Sequence, residues 1–235
     1  MTTQNTPPDG ILYFIGGQLL FEHHNANGAI VRKCLSPEAA RHAFTQQQTD
    51  SGWLSPHTIR YGESARGPWL LQRYDPARYQ ITLDEAVPVR GQSNPIQTIT
   101  VSLPGMLFLG SNTDYYLWSY RAWKGDHSTL YHAPIPNVHP NGHICFGQNR
   151  PPVAETDTID QAWNLFWQSP FNHDLASEKS QQYPDSILKL LVTLHQPEDH
   201  GHATYPDKDL KRSRMTIAQI LTQLNPQHED ERRSA

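Results

Sequence analysis

Short runs of alternating apolar and polar residues, separated by glycine, proline and asparagine, dominate the first half of the chain. Runs of this kind, rich in β-branched and aromatic residues, predict β-strands joined by turns. We predict strands at residues 11–14, 18–23, 29–35, 58–61, 69–74, 79–83, 96–103, 106–109 and 115–121. The first three form an early meander, and those from residue 96 onward form a second one after the polar stretch 91–95.

A helical repeat of apolar residues replaces this alternation mainly in the second half of the chain. Ser36-Pro37-Glu38 has the form of a helix start, which predicts an early short helix ending near residues 46–48. Later helices are predicted at residues 158–167, 183–194 and 215–224. Strands followed by helices indicate an α+β fold rather than a doubly wound parallel sheet.

An aromatic cluster marks the helix predicted at residues 158–167. Trp163, Phe166 and Trp167 recur at helical spacing within it. Large aromatic residues at this spacing usually face inward. We therefore interpret the cluster as core packing, with a binding surface as the alternative.

Residues 126–152 are proline-rich and show neither helical nor alternating patterning, which predicts one extended loop. A structureless segment of this length within a compact domain is usually functional or mobile. We divide the chain into a disordered start (1–9), an N-terminal β-rich elaboration (10–90), a core containing this loop (91–200) and a C-terminal helix with a charged tail (201–235).

Composition excludes several broad classes of function. The formal net charge is −4, so the chain lacks the basic footprint expected of a nucleic-acid-binding protein. No apolar run is long enough to span a membrane, and the polar start does not resemble a targeting segment. We expect a cytoplasmic protein that binds neither nucleic acid nor membrane, whose two cysteines remain thiols.

Cys145 lies in the proline-rich loop, eight positions after Asn137. Between them Asn141-Gly142 is a strong tight-turn signal, which predicts a hairpin-like loop that brings the two residues together. A thiolate can hold an acyl group, and an amide N–H₂ can donate to the oxyanion that forms when an amine attacks that group. The alternative for Cys145 is a buried small apolar residue, which is the structural role expected of Cys34 in its apolar strand.

The same loop carries a resemblance to a known family. Ile135-Pro136-Asn137, Gly142, Ile144 and Cys145 match the motif of ubiquitin-conjugating enzymes, in which His-Pro-Asn precedes the catalytic cysteine at this spacing. The wider pattern, with Tyr131-His132-Ala133-Pro134 before the motif and Ser169-Pro170-Phe171-Asn172-His173 after it, resembles bacterial family D of that superfamily. That family includes the PRTRC system protein B-like members. The resemblance extends over most of residues 10–195.

The resemblance implies a ubiquitin-conjugating (UBC-like) fold and a transferase function. Cys145 would accept a bacterial ubiquitin-like protein as a thioester from a ThiF-like adenylating enzyme and pass it to an amine or thiol of an unidentified acceptor. Asn137 would hold the loop or stabilise the oxyanion. No cofactor and no metal are implied.

One departure from the family motif bears on activity. Ile135 occupies the position of the motif histidine, which in the wider superfamily mainly supports the loop. His132 or His139 is expected to supply the missing hydrogen bonds, and His143 is expected to tune the thiol. His173 and Asp174 lie where some relatives place a polar gate near the cysteine.

Three alternatives stay open from the sequence. A catalytically inactive docking or assembly module would keep the fold while lacking the motif histidine. His132, His139, His143 and Cys145 also suggest a zinc site, although they lack the usual close ligand pairs. A Cys-His hydrolase is the third alternative, although the residues after Cys145 cannot begin a helix, as a papain-like nucleophile requires.

Overall fold

The computed structural model describes residues 10–16, 18–25, 27–44, 51–64, 66–88, 94–195 and 204–224. Contacts divide the chain into two units, Met1–Ser51 and Gly52–Ala235. The first unit contains an antiparallel sheet of β1 (Gly10–Ile15), β2 (Gln18–His24) and β3 (Ile30–Leu35), followed by α1 (Pro37–Phe44).

The first unit confirms the early meander and corrects the expectation for one cysteine. Cys34 lies on β3, as predicted, but its side chain is exposed. Because β3 is mostly exposed, its apolar composition did not imply burial on both faces. Cys34 is therefore not the buried structural residue that its strand composition suggested.

The second unit is built around an antiparallel six-stranded sheet. Its strands, in spatial order, are β11 (Arg212–Thr216), β10 (Thr129–His132), β9 (Asp114–Tyr120), β8 (Gly105–Ser111), β5 (Gly67–Tyr74) and β4 (Thr58–Ser64). A separate antiparallel pair joins β6 (Ala77–Val87) to β7 (Ile96–Leu103). The protein is therefore a mixed α and β structure that is mostly sheet.

The helices of the second unit are short. They are α2 (Ile159–Gln168), α3 (Ile187–Thr193) and α4 (Ile217–Leu224), with a single 3₁₀ turn at Asp207–Asp209. Within the described ranges, no helix has the length and apolar character needed to cross a membrane.

Strand β8 lies at the centre of the sheet and is buried on both faces. Met106 and Phe108 belong to the core cluster that includes residues of α2 and α3, whereas Leu107 and Leu109 belong to a second cluster that includes residues of α4. Successive side chains of a strand point to opposite faces, so one strand supplies both clusters. The sheet is consequently covered by helices on both sides.

The aromatic residues of α2 pack inward, as predicted. Trp163 stacks on Tyr74 with ring centroids 3.7 Å apart, and Phe166 packs edge-on against Phe171 at 5.2 Å. Phe166 and Trp163 are buried, and Trp167 is half-buried. The interpretation of this cluster as core is therefore confirmed.

Two strands were missed and two predicted helices begin later than expected. The segment 126–152 was predicted to lack regular structure but contains β10. Strand β11 ends within the helix predicted at residues 215–224, so that helix, α4, begins only at Ile217. The helix predicted at 183–194 begins at Ile187. β10 and β11 are four and five residues long and pair with each other, so their stability comes from their neighbours. Because β11 follows α3, the helices do not all come after the strands.

The predicted boundary between residues 90 and 91 falls inside the second unit. Strands β4 and β5 share a sheet with β8–β11, so residues on both sides of that boundary build one structure. The division into a family core and an elaboration stays a prediction. The predicted disordered start, the end of the first helix after residue 44, residues 91–93 of the polar stretch and the charged tail lie outside the described residues.

We predict that Phe166→Ala lowers the free energy of unfolding by about 3–5 kcal/mol, because it removes a buried ring from the face of α2. The matched control is Asn164→Ala, which changes an exposed residue of the same helix and is expected to shift stability by less than about 0.5 kcal/mol. Urea unfolding of the two variants measures both values. Equal effects would contradict the inward orientation of Phe166.

Candidate active site

The loop that contains Cys145 leaves the sheet after β10 and returns to the same neighbour strand. Tyr116 on β9 pairs with His143 in an antiparallel bridge, beyond the point where β9 pairs with β10. Leu117 N–H donates to Gly142 O at 2.7 Å, and Ile144 N–H donates to Tyr115 O at 2.8 Å. Residues 142–144 are therefore held by the backbone of the main sheet.

A small hairpin lies within this loop. Val138 and Ile144 form an antiparallel bridge, with His139 N–H donating to His143 O at 2.7 Å. Cys145 N–H donates to Asn137 O at 2.8 Å. The hairpin predicted from the Asn141-Gly142 turn is confirmed, and it joins the backbones of Asn137 and Cys145 directly.

The turn of this hairpin depends on Gly142. Its φ of +93° lies in a region that side chains disfavour, and a Cβ at this position would overlap the indole ring of Trp118. Gly142 N–H donates to His139 O at 2.8 Å, and Asn141 Oδ1 accepts from His143 N–H at 3.0 Å. The turn therefore lies flat against the sheet.

The side chain of Cys145 is exposed at the end of this hairpin. Its neighbour Ile144 is buried, so the strand alternation points the thiol toward solvent while anchoring the residue before it. The alternative interpretation of Cys145 as a buried apolar residue is thus wrong. The thiol is accessible to solvent.

Asn137 adopts a left-handed backbone conformation with φ of +59°, which asparagine tolerates better than most residues. Its backbone N–H donates to Asp174 O at 3.1 Å, and its side-chain Nδ2 donates to Pro170 O at 3.4 Å. Only one of the two side-chain N–H groups is needed for that bond. Asn137 therefore shapes the loop and retains a second donor, while its buried Oδ1 has no hydrogen-bond partner.

Beneath the hairpin, the segment before Asn137 is buried in the core. Ile135, at the position of the motif histidine, is 0 % exposed and belongs to the main apolar cluster. Buried Lys179 bonds the backbone of this segment: its Nζ donates to Val138 O at 2.6 Å and lies 3.5 Å from Ala133 O. Burial lowers the pKa of Lys179 from its ordinary value of 10.5 to about 7.

The histidines around Cys145 take three different positions. His132 is half-buried on β10, where burial, assisted by the positive charges of Lys179 and Lys211, lowers its pKa. His139 is exposed on the hairpin. The ring of His143 packs against Tyr116, with Nε2 3.6 Å from Asp114 Oδ1.

These positions bear on the predicted roles of the histidines. Across the described ranges, neither the His132 ring nor the His139 ring donates a hydrogen bond to the loop backbone. In this arrangement neither ring makes the hydrogen bonds expected of it, and the supporting roles of His132 and His139 stay predictions. The influence of His143 on the thiol stays a prediction.

His173 and Asp174 lie on the segment that backs the hairpin. Both side chains are exposed, and the Asp174 carboxylate accepts from Asn172 Nδ2 at 2.9 Å. The Asp174 carbonyl contacts the loop through Asn137 N–H. Asp174 is thus brought to the site by its backbone, and the gating role of the two side chains stays a prediction.

The other proposed chemistries find little support in the arrangement. In the described part of the chain, no group of three or more His, Cys, Asp or Glu side chains is placed to hold a metal ion. In the same described part, no hydrogen bond joins a histidine ring to the Cys145 thiol, the contact that pairs base and nucleophile in a Cys-His hydrolase. The loop instead presents an exposed thiol on a backbone that is ordered by the sheet.

Comparison with known proteins identifies one family. The family model described as Prokaryotic E2 family D matches residues 32–213, which is most of the chain. No curated protein and no solved structure matches the chain.

The lowered pKa of Lys179 predicts a pH dependence of stability. Between pH 7 and 10.5 the unfolded chain binds one more proton at this residue than the folded protein, so the free energy of unfolding rises with pH there. Below pH 7 both states carry the proton and the slope vanishes. We expect wild type to gain up to about 1.4 kcal/mol per pH unit relative to Lys179→Met.

Urea unfolding of the two proteins at pH 7, 8 and 9 checks this difference in slope. The absolute stability of Lys179→Met does not affect the comparison. Parallel pH profiles would contradict a lowered pKa at Lys179.

Proposed function

Because the chain belongs to prokaryotic E2 family D, we propose that it is a ubiquitin-conjugating-like transferase that carries a bacterial ubiquitin-like protein on Cys145. One observation carries the proposal: the exposed Cys145 thiol ends a hairpin whose opposite backbone residue is Asn137. This arrangement agrees with the family's motif at its asparagine and its cysteine. The assignment to a UBC-like fold and to PRTRC system protein B-like members belongs to the same proposal.

Charging is a thioester exchange at the Cys145 sulfur. The Cys145 thiolate attacks the carbonyl carbon of the ubiquitin-like protein's C-terminal thioester, held on a ThiF-like adenylating enzyme. A new C–S bond forms to Cys145, the bond to the donor sulfur breaks, and the departing thiolate accepts a proton from solvent. An exposed thiol suits this step, because the acyl donor is itself bound to a protein.

Discharge passes the acyl group to an amine of the unidentified acceptor. The amine attacks the thioester carbon, a C–N bond forms, the amine loses a proton, and the Cys145 thiolate leaves as the C–S bond breaks. Negative charge develops on the carbonyl oxygen during the attack. The unused N–H of Asn137 is the donor that we assign to that oxyanion.

A second candidate is an inactive docking module of the same family. Ile135 favours it, because a fully buried apolar residue stands where the superfamily motif has histidine. Both candidates share the same fold and differ only in whether Cys145 becomes charged. The charging experiment therefore separates them.

We predict that the wild type, its activating enzyme, its ubiquitin-like protein and ATP together form an adduct that a thiol reductant cleaves, because thiols exchange readily with thioesters. Cys145→Ser is expected to form an adduct that resists the reductant, because an oxyester does not undergo this exchange. Cys145→Ala is expected to form none. Electrophoresis with and without reductant detects these species.

The matched control for charging is Cys34→Ala, which changes the other exposed cysteine and is expected to keep the wild-type adduct. The enzymatic proposal fails if Cys145→Ala forms the same adduct. Absence of an adduct from wild type, with both partners present, would favour the docking module.

We also predict that Asn137→Asp slows discharge of the preformed thioester to free lysine by about 100-fold to 1000-fold, the usual effect of losing an oxyanion donor. Aspartate tolerates the same positive φ but has no side-chain N–H to donate. Asn164→Ala, on the exposed face of α2, is the control. Single-turnover discharge at the wild-type rate by Asn137→Asp would exclude the donor role.

A further inference from the structure

The side chain of Lys179 spans the bend that precedes the hairpin joining Asn137 and Cys145. The carbonyls of Ala133 and Val138 stand on either side of Pro134-Ile135-Pro136-Asn137. Both lie within 3.5 Å of Lys179 Nζ. One donor group therefore joins the entry and the exit of the bend.

The backbone of the bend makes neither of these bonds: Asn137 N–H donates to Asp174 O, and in the described ranges Ile135 N–H does not donate to either carbonyl. Pro134 and Pro136 have no N–H, so neither can contribute a donor. A buried carbonyl without a donor carries a desolvation penalty, which makes a donor from outside the bend necessary. The 2.6 Å bond to Val138 O meets this need at the residue directly after Asn137.

The connection from Val138 to the thiol is short and entirely backbone. Val138 pairs with Ile144, and Asn137 O accepts from Cys145 N–H at 2.8 Å. A shift of Val138 would therefore move both strands of the hairpin. The position of the thiol is coupled to the position of the Lys179 amino group.

Lys179 is itself held firmly in place. Glu178, in a left-handed conformation, donates its backbone N–H to Pro184 O at 2.7 Å. Ser180 donates its hydroxyl to the buried carboxylate of Asp209 at 2.8 Å and pairs with Leu210. The residues on both sides of Lys179 are anchored, so its side chain is aimed at the loop by a fixed backbone.

Burial of this amine is unfavourable for folding. Lys179 is 2 % exposed, and across the described ranges no carboxylate forms an ion pair with it. Its lowered pKa reflects that cost. An apolar residue of similar volume would avoid burying an amine but would leave the carbonyls of Ala133 and Val138 without this donor. The lysine is therefore explained by what its N–H groups hold.

We propose that Lys179 is a positioning residue for Cys145, taking over from inside the core the loop support that the motif histidine provides elsewhere in the superfamily. The assignment of this support to catalysis rests on the proposed transferase function. Lys179 does not touch the reacting atoms and acts only through the carbonyls of Ala133 and Val138.

The test compares Lys179→Met with wild type in two measurements. The first is amide hydrogen exchange of His139 and Cys145, whose N–H groups are bonded within the hairpin. Lys179→Met is expected to raise their exchange rates at least tenfold while amides of the β5–β8 ladder keep theirs. Lys208→Met, at an exposed position, is the matched control and is expected to leave both sets unchanged.

The second measurement separates positioning from general loss of structure. The rate constant for discharge of the Cys145 thioester is expected to fall about tenfold to a hundredfold. The concentration of charged activating enzyme that gives half-maximal charging is expected to stay the same. Lys179→Gln, which keeps an N–H₂ donor, is expected to recover part of both the protection and the discharge rate.

Three results would overturn the proposal. These are unchanged exchange at His139 and Cys145 in Lys179→Met, an equal increase at the hairpin and at the β5–β8 ladder, or discharge at the wild-type rate. If wild type forms no thioester, the transferase function fails instead, and the exchange measurement still decides whether Lys179 holds the loop.

Discussion

The structure around Cys145 depends on the pairing of a short returning segment with strand β9. Two backbone hydrogen bonds, from Leu117 N–H to Gly142 O and from Ile144 N–H to Tyr115 O, place this segment on the sheet. Once it is there, the hairpin to Asn137, the burial of Ile144 and the exposure of the thiol follow from strand alternation. A proline-rich loop is thereby given the rigidity of the sheet without being a regular strand itself.

The interior beneath the loop contains both apolar side chains and backbone carbonyls that need hydrogen-bond donors. Ile135 and its neighbours are packed into the apolar core, whereas the carbonyls around them require donors that prolines cannot provide. Lys179 supplies a donor, because its buried side chain reaches the carbonyls of Ala133 and Val138. Lys179, which belongs to a different segment, therefore bonds the backbone on both sides of Ile135.

Strand β8 organises the packing of the rest of the second unit. Strand β8 supplies apolar residues to both faces of the sheet, so α2 and α3 cover one face and α4 covers the other. The residues that act on the loop come from β9, from the segment after α2 and from the loop itself. These segments are distant in sequence, and only packing on the common sheet brings them together.

What the sequence by itself determined were the features governed by local patterns. Alternation located the strands from β1 to β9, helical spacing located the helix at Trp163 and Phe166, and the Asn141-Gly142 turn with its spacing indicated the hairpin between Asn137 and Cys145.

The tertiary structure decided what depends on distant partners. The short strands β10 and β11 are stabilised by pairing with each other, and the exposure of Cys34 depends on what covers β3. The burial of Lys179 and its bonds to the loop could not be predicted from the sequence, because an isolated lysine carries no signal that a core will form around it. Burial and long-range hydrogen bonds are properties of neighbours that the fold supplies, and a local pattern cannot encode them.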